Sequence, residues 1–305
     1  MLFFPYKAQI KLTKVPVVTI LISLLCIAVY VEQYRNDQAI YAQAEAFCAG
    51  EGGGGLELAL DHYLAKGHEY PCELLLLEVY THPRPQEVID ALAREIAAPY
   101  DEIFRERYRE FEISAPAYLT AKLWHERPSW HIGGMLTSTI AHADWHHLIF
   151  NLIFFFVFAA TLELLIGPVL LFLVCVAIAI GIGSVDTLVH LGQPDVTVTL
   201  GLSGVVMGML GLFAYFIPHA KIRFFYWFLI FFGTVGIPAW VVTLWYIGWD
   251  FYDQLNQVGG TTNLVAHLIG ACLGFAIGIG VFRKKRKWAR DLVIEDPVTI
   301  KSPTS

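Results

Sequence analysis

Charge is what this sequence has least of. Only 16% of its 305 residues are Asp, Glu, Lys or Arg, against 56% hydrophobic. A soluble domain carries roughly a quarter charged residues, so one large soluble core is excluded and a polytopic membrane protein fits. The few charges are unevenly spread, which the net charge of −6 hides. Basic residues gather before Val15, at Lys221 and Arg223, and from Arg283 to Arg290, while most acidic ones fall between Glu32 and Glu126. That distribution argues against a nucleic-acid partner, and the basic clusters read as topology signals. Cysteine is scarce too, with five in all. Cys26, Cys175 and Cys272 lie in apolar runs, where they pack as small polarisable residues. Cys48 and Cys72 are left as a disulfide candidate. A metal site with His62 and His68 lacks close ligand spacing.

Long apolar runs take the place of charge. Val15–Val31, two crossings within Leu148–Val185, then Val196–Ile217, Phe224–Trp249 and Gly259–Phe282 give six segments long enough to span a bilayer as helices. A tight turn near Glu163 and Gly167-Pro168 divides the second from the third. The expected fold is an all-α polytopic membrane protein: a six-helix bundle with a long extracytoplasmic first loop. The first span is read as retained, because Ala42-Gln43-Ala44, the candidate cleavage site of a signal peptide, lies well beyond the apolar stretch. With residues 1–14 in the cytoplasm, Lys221, Arg223 and the basic tail 283–305 fall on the same side, as the positive-inside rule requires. Residues 32–129 then form an extracytoplasmic, mainly helical insert. Gly52-Gly53-Gly54-Gly55 breaks it flexibly, and Gln86–Arg109 reads as one helix with Val88, Leu92 and Ile96 at helical spacing. The insert offers a surface for a further partner that the sequence does not name.

Three polar features stand inside the remaining core, 130–282. His147 and Asn151 are four apart and share one helix face at the start of the second span. Ser203 sits in Gly201-Leu202-Ser203-Gly204, and His267 lies in an apolar run with Ala266, Gly270, Gly274 and Gly278. At about 1.5 Å per helical residue, all three features fall roughly 10–12 Å below the same, extracytoplasmic face. Glycines at four-residue spacing in the fourth and sixth spans let two backbones approach closely. A histidine in lipid is costly and asks for a partner; that partner is Ser203. A serine hydroxyl becomes a nucleophile when a neutral imidazole takes its proton. Donors for the resulting oxyanion are Asn151, His147 and the Ser203 backbone N–H. No acidic residue is seen at this depth to orient His267, so a Ser–His dyad is expected rather than a triad. No metal or cofactor is called for.

His142-x4-His147-x3-Asn151, Gly201-Leu202-Ser203-Gly204 and Ala266-His267-x2-Gly270-x3-Gly274, in that order and in these spans, resemble the rhomboid family of intramembrane serine proteases. The resemblance implies Ser203 as nucleophile, His267 as base, and His147 and Asn151 as oxyanion-hole donors. His142 matches a structural residue of the family. It further implies hydrolysis of peptide bonds in or next to the transmembrane helices of other membrane proteins, within the lipid bilayer. Two positions depart from the pattern: Met207 stands where the family usually has an aromatic residue, and Trp130-His131 where it has Trp-Arg. The rival within the fold is a catalytically silent, client-binding relative. A membrane di-iron enzyme is a poorer fit, since His142-x3-His146-His147 is a single histidine cluster and such a site needs several. A transporter fits less well again, with no broken inverted-repeat helices visible. Small size points to a bacterial inner membrane as the setting.

Overall fold

The computed structural model describes residues 2–8, 13–50, 72–95, 100–192, 197–228, 231–256 and 264–291. The Gly52–Gly55 break, His62 and His68 lie outside them. The chain divides into two compact units, one of Tyr30–Trp124 with Pro194–Val198, the other of Met1–Val29, His125–Gln193 and Thr199–Ser305.

In chain order the elements are β1 (Leu2–Ala8), α1 (Val17–Ala49), α2 (Cys72–Thr81), α3 (Pro85–Glu95), α4 (Tyr100–Ser114) and α5 (Leu119–Leu123). Next come β2 (His125–Glu126), α6 (Ile132–Thr137), α7 (Trp145–Ile166), α8 (Pro168–Val189), β3 (Val198–Thr199) and α9 (Ser203–Phe216). The last are β4 (Lys221–Phe228), β5 (Phe231–Pro238), α10 (Ala239–Asn256), α11 (Leu264–Val281) and α12 (Arg286–Asp291). Among the described residues α1, α7, α8 and α11 are long and apolar enough to cross a membrane. Two apolar helices are shorter: α9 and the Ala239–Trp249 part of α10. The 14 residues of α9 reach only about 21 Å, against a hydrocarbon core of roughly 30 Å.

Helix α9 is the hub of the larger unit. Every residue from Gly204 to Phe216 is buried, as expected of a helix that is apolar all round. It packs on α7, α8, α10 and α11. Phe213 meets Phe158 of α7 edge-on at 5.6 Å, and Tyr215 meets Phe275 of α11 at 5.7 Å. The Arg286 guanidinium lies 4.6 Å over the Tyr215 ring, a cation–π contact at the C-terminal end of α9. At the same end Glu163 closes α7. Its carboxylate accepts from the backbone N–H groups of Val18 and Thr19 at 3.0 and 2.9 Å, and from the Thr19 hydroxyl at 2.8 Å. A helix start leaves its first N–H groups without acceptors, and its dipole favours an anion there. Thus the charge that ends one apolar helix caps the first turn of another. Gly167, at φ +91°, and Pro168 then turn the chain into α8, Pro at the first helical position being pre-set for it.

The fifth apolar run corrects the all-α expectation. Residues 224–249 are not one helix: β4 and β5 form an antiparallel hairpin, and α10 begins only at Ala239. The run is rich in Phe, Tyr, Trp, Val and Ile, which suit a pleated sheet, and an apolar run without period is equally compatible with either state. What decides is a partner. β1 pairs with β4 from Leu2↔Trp227 to Ala8↔Ile222, making a sheet of order β1-β4-β5. Three smaller corrections follow. α1 continues past Val31 to Ala49, α9 starts at Ser203 rather than Val196, and the helix expected over 86–109 is two, α3 and α4.

The smaller unit holds its own apolar cluster, built on Ile40, Leu75, Leu76, Val79, Ile89, Leu92, Phe104 and Phe111. Cys48 and Cys72 form the expected disulfide. Arg105 joins α3 to α4 by pairing with both Asp90 and Asp101 at 2.8 Å. Asn36 fixes the approach to α5, accepting from the Leu119 backbone N–H at 2.7 Å and donating to the Ala117 carbonyl at 3.1 Å.

Candidate active site

The site is assembled from the starts of α7, α9 and α11. Asp144 caps α7, its carboxylate accepting from the His147 backbone N–H at 2.8 Å. An acidic cap satisfies a donor that the first helical turn would leave open. It also fixes where the His147 ring emerges. That ring packs edge-on against buried His142, with centroids 5.3 Å apart. On another side it lies against Gly201. A Cβ on Gly201 would come within 2.5 Å of the His147 Cε1 and 2.8 Å of its Nε2. Gly201 also has φ +119°, a region other residues rarely adopt. Its N–H donates to the Ser138 carbonyl at 2.8 Å. Glycine is therefore required here twice over, by backbone conformation and by the imidazole pressed on it.

Two residues on, Ser203 opens α9, with Leu202 as the residue before the helix. The N–H groups of a first turn have no acceptor within the helix. Asn151 is buried one turn into α7, and its amide donates to the His147 carbonyl at 2.8 Å. One of its two N–H groups is thereby committed to its own helix; the amide has a second.

His267 lies in the first turn of α11. Its helix meets α9 along a seam of glycines. A Cβ on Gly204 would lie 3.5 Å from the Ala266 carbonyl and 3.8 Å from the Ala266 Cβ. One on Gly270 would run into the Gly204 carbonyl oxygen, and one on Gly274 into that of Gly208. The residue after Ser203 and the residue before His267 thus face each other across this seam, with room for no more than a methyl group between them. Ser203, His147 and His267 share one end of the bundle, with Asn151 one turn deeper. Met207 is buried one turn beyond Ser203.

Sequence reasoning missed Asp186. It is 1% exposed near the end of α8, and its carboxylate accepts from the Arg127 guanidinium at 2.6 Å. His190 faces it from the next turn at 3.5 Å. Burial holds the nearby His125 imidazole below its usual pKa, against the pull of the Asp186 carboxylate. Asp186, His125 and Ser138 line the same cavity as Gly201 and Ser203, of about 40 Å³. The signal was an acid inside an apolar helix, one residue past the run that was counted. Among the described residues no group of His, Cys, Asp and Glu is arranged to hold a metal ion.

The family model of the Rhomboid domain matches residues 128–284, just over half of the chain and the whole of α6 to α11. The chain belongs to the rhomboid family. It is 28% identical over 162 residues to the rhomboid protein YdcA of Bacillus subtilis, covering 50% of this chain and 69% of that one. It is 30% identical over 147 residues to Rhomboid protein 1 of Saccharomyces cerevisiae mitochondria, covering 47% and 40%. To the chloroplastic Rhomboid-like protein 11 of Arabidopsis thaliana it is 33% identical over 90 residues, 30% of each chain. The chain therefore spans less than half the length of these two organellar rhomboids. No solved structure gives a significant match. As a rhomboid with several long apolar helices, the protein is an integral, multi-pass membrane protein.

Proposed function

We propose that this rhomboid is an intramembrane serine endopeptidase cutting peptide bonds in or next to the transmembrane helices of other membrane proteins. The observation that carries the reading is the glycine seam of α9 and α11, in which a Cβ on Gly270 would run into the Gly204 carbonyl oxygen and one on Gly204 would meet Ala266. In this reading the His267 imidazole takes the proton of the Ser203 hydroxyl as the oxygen attacks the scissile carbonyl. The proton then passes to the leaving amine, and water repeats the sequence on the acyl-enzyme. The Ser203 backbone N–H, the second Asn151 N–H and the His147 ring face the oxyanion. A substrate helix hides its carbonyls, so it must unwind locally, which residues of poor helix propensity favour. Six crossings with both termini cytoplasmic place the site toward the extracytoplasmic side, and a bacterial inner membrane suits the chain.

The test is cleavage of a transmembrane reporter by reconstituted protein. Ser203→Ala and His267→Ala should each abolish cleavage with folding intact, and the double variant should be no worse than either, since both serve one step. Substantial cleavage by Ser203→Ala would end the peptidase reading and leave a client-binding rhomboid.

A further inference from the structure

The sheet that replaces part of the expected fifth span has two unlike faces. Side chains alternate along a strand, and Ile222 and Phe224 of β4 point inward, each at most 1% exposed. Phe3 stacks on Phe224 at 4.7 Å on that inner side. The outer face carries Lys221, Arg223, Phe225 and Trp227 in sequence. The strand registers add neighbours: Lys7 lies opposite Arg223, Phe4 opposite Phe225, and Phe232 opposite Trp227. The outer face therefore grades from three cations at its base, through phenylalanines, to Trp and Phe at its tip. Beyond them the hairpin end is wholly apolar in sequence from Phe224 to Phe232. Phe228, Phe231 and Phe232 are 54%, 66% and 72% exposed.

We infer that this sheet is a membrane-interface anchor, its Lys7–Lys221–Arg223 base binding the phosphates of anionic lipids and its aromatic tip lying at the acyl boundary of the same leaflet. Several independent features point to a bilayer as the occupant. Lys7 and Arg223 stand directly across from each other, which gathers positive charge at one level of the sheet. The rise along a strand puts Trp227 about 13 Å from Arg223, which fits a step from phosphate level to the top of the acyl chains. Trp and Phe are the side chains that settle at that boundary, and Lys and Arg those drawn to an anionic surface. The sheet is also continuous with the membrane-spanning part. β5 runs into α10 without a linker, and the Ala239 and Trp240 N–H groups donate to the carbonyls of Ala220 and Pro218 at 2.9 and 3.0 Å. Finally, β5 is an edge strand. Its outer backbone groups need water or headgroups, which keeps the sheet at the interface and out of the hydrocarbon.

The experiment uses the full chain in phosphatidylcholine–phosphatidylglycerol vesicles. The fluorescence of Trp227 is taken as the difference between the parent and Trp227→Phe. That difference should be quenched by lipids brominated near the headgroup end of the acyl chain and shielded from iodide in the water. Quenching by iodide with no response to brominated lipid would overturn the anchor. The base is read separately, as the preference of the protein for spin-labelled phosphatidylglycerol over phosphatidylcholine. Lys7→Gln, an exposed position on the other edge strand, should lower that preference, and neutralising all three cations should lower it by about fivefold per charge. An unchanged preference would overturn the phosphate contact. Neither readout involves proteolysis, so failure here leaves the peptidase reading standing.

Discussion

Replacing Gly270 by Ala adds one methyl group to the α9–α11 seam. A Cβ there would run into the carbonyl oxygen of Gly204, with the carbonyl carbon 3.1 Å away and the Gly208 nitrogen at 3.4 Å. These are backbone atoms of α9 and cannot swing aside as a side chain would, so the two helices must part. Overpacking of this kind costs about 1–3 kcal/mol. Alanine returns roughly 0.5–1 kcal/mol by its better helix propensity. Gly280, on the same helix, is the control: nothing lies within 4 Å of its added Cβ, so only the propensity gain should act. The propensity gain is common to both, so the two variants should differ by the overpacking cost alone, about 1–3 kcal/mol, with Gly280→Ala the more stable. Gly278→Ala should fall between them, because its Cβ meets the Tyr215 ring at 2.5 Å, a side chain that can turn. Unfolding in mild detergent measures the stabilities, and reporter cleavage measures the site. If Ser203 and His267 act together, a misplacement of about 1 Å should lower turnover by roughly 10²-fold in Gly270→Ala. Equal stability and activity in Gly270→Ala and Gly280→Ala would refute the claim that this seam holds the site together.

Alkylation without reduction should leave Cys48 and Cys72 unlabelled, and replacing both by Ser should destabilise the protein by about 3 kcal/mol on chain-entropy grounds. Free thiols at both positions would sink that expectation. Glu163→Ala removes the acceptor of three hydrogen bonds and should cost at least about 2 kcal/mol, with Glu163→Gln costing less; a melting temperature unchanged in both would show the cap to be idle. Arg127→Met leaves Asp186 buried without its cation and should cost about 3–5 kcal/mol, whereas the double Arg127→Met/Asp186→Leu should recover most of it. Additive losses in the pair would mean that the two side chains act apart.

The residues of the candidate site stand out in the sequence more plainly than the scaffold around them does. His147, Asn151, Ser203 and His267 are expensive residues for a bilayer, and expensive residues announce themselves in an apolar sequence. The glycine spacing also showed which spans would touch, since small residues four apart have one obvious use. The hairpin was hidden for the opposite reason. Residues 224–238 are uniformly apolar, so nothing periodic separates strand from helix, and the deciding partner is β1, more than two hundred residues away. The Glu163 contact is also remote, with Thr19 144 positions distant in sequence. Asp186 was missed through a boundary, since the apolar run had been closed at Val185. α1 was cut short because its apolar character ends near Val31 although its helix-forming residues do not.

The arrangement of helix starts bears on the chemistry proposed. His147 lies in the first turn of α7, Ser203 is the first residue of α9 and His267 lies in the first turn of α11. Each start is the positive end of a helix dipole, equivalent to about half an elementary charge. In the proposed reaction a substrate carbonyl is neutral on arrival and anionic once Ser203 has attacked it. The positive ends of α7 and α9 would therefore favour the intermediate over the bound substrate, which is the difference that accelerates a reaction. The effect is larger where water is scarce, and it needs no movement at the moment of attack. Glycine is what makes the convergence geometrically feasible. Gly201 lets the chain turn against the His147 ring, and Gly204, Gly208, Gly270 and Gly274 let α9 and α11 meet backbone to backbone. A larger residue at Gly270 or Gly274 would meet α9 backbone and push the two helices apart.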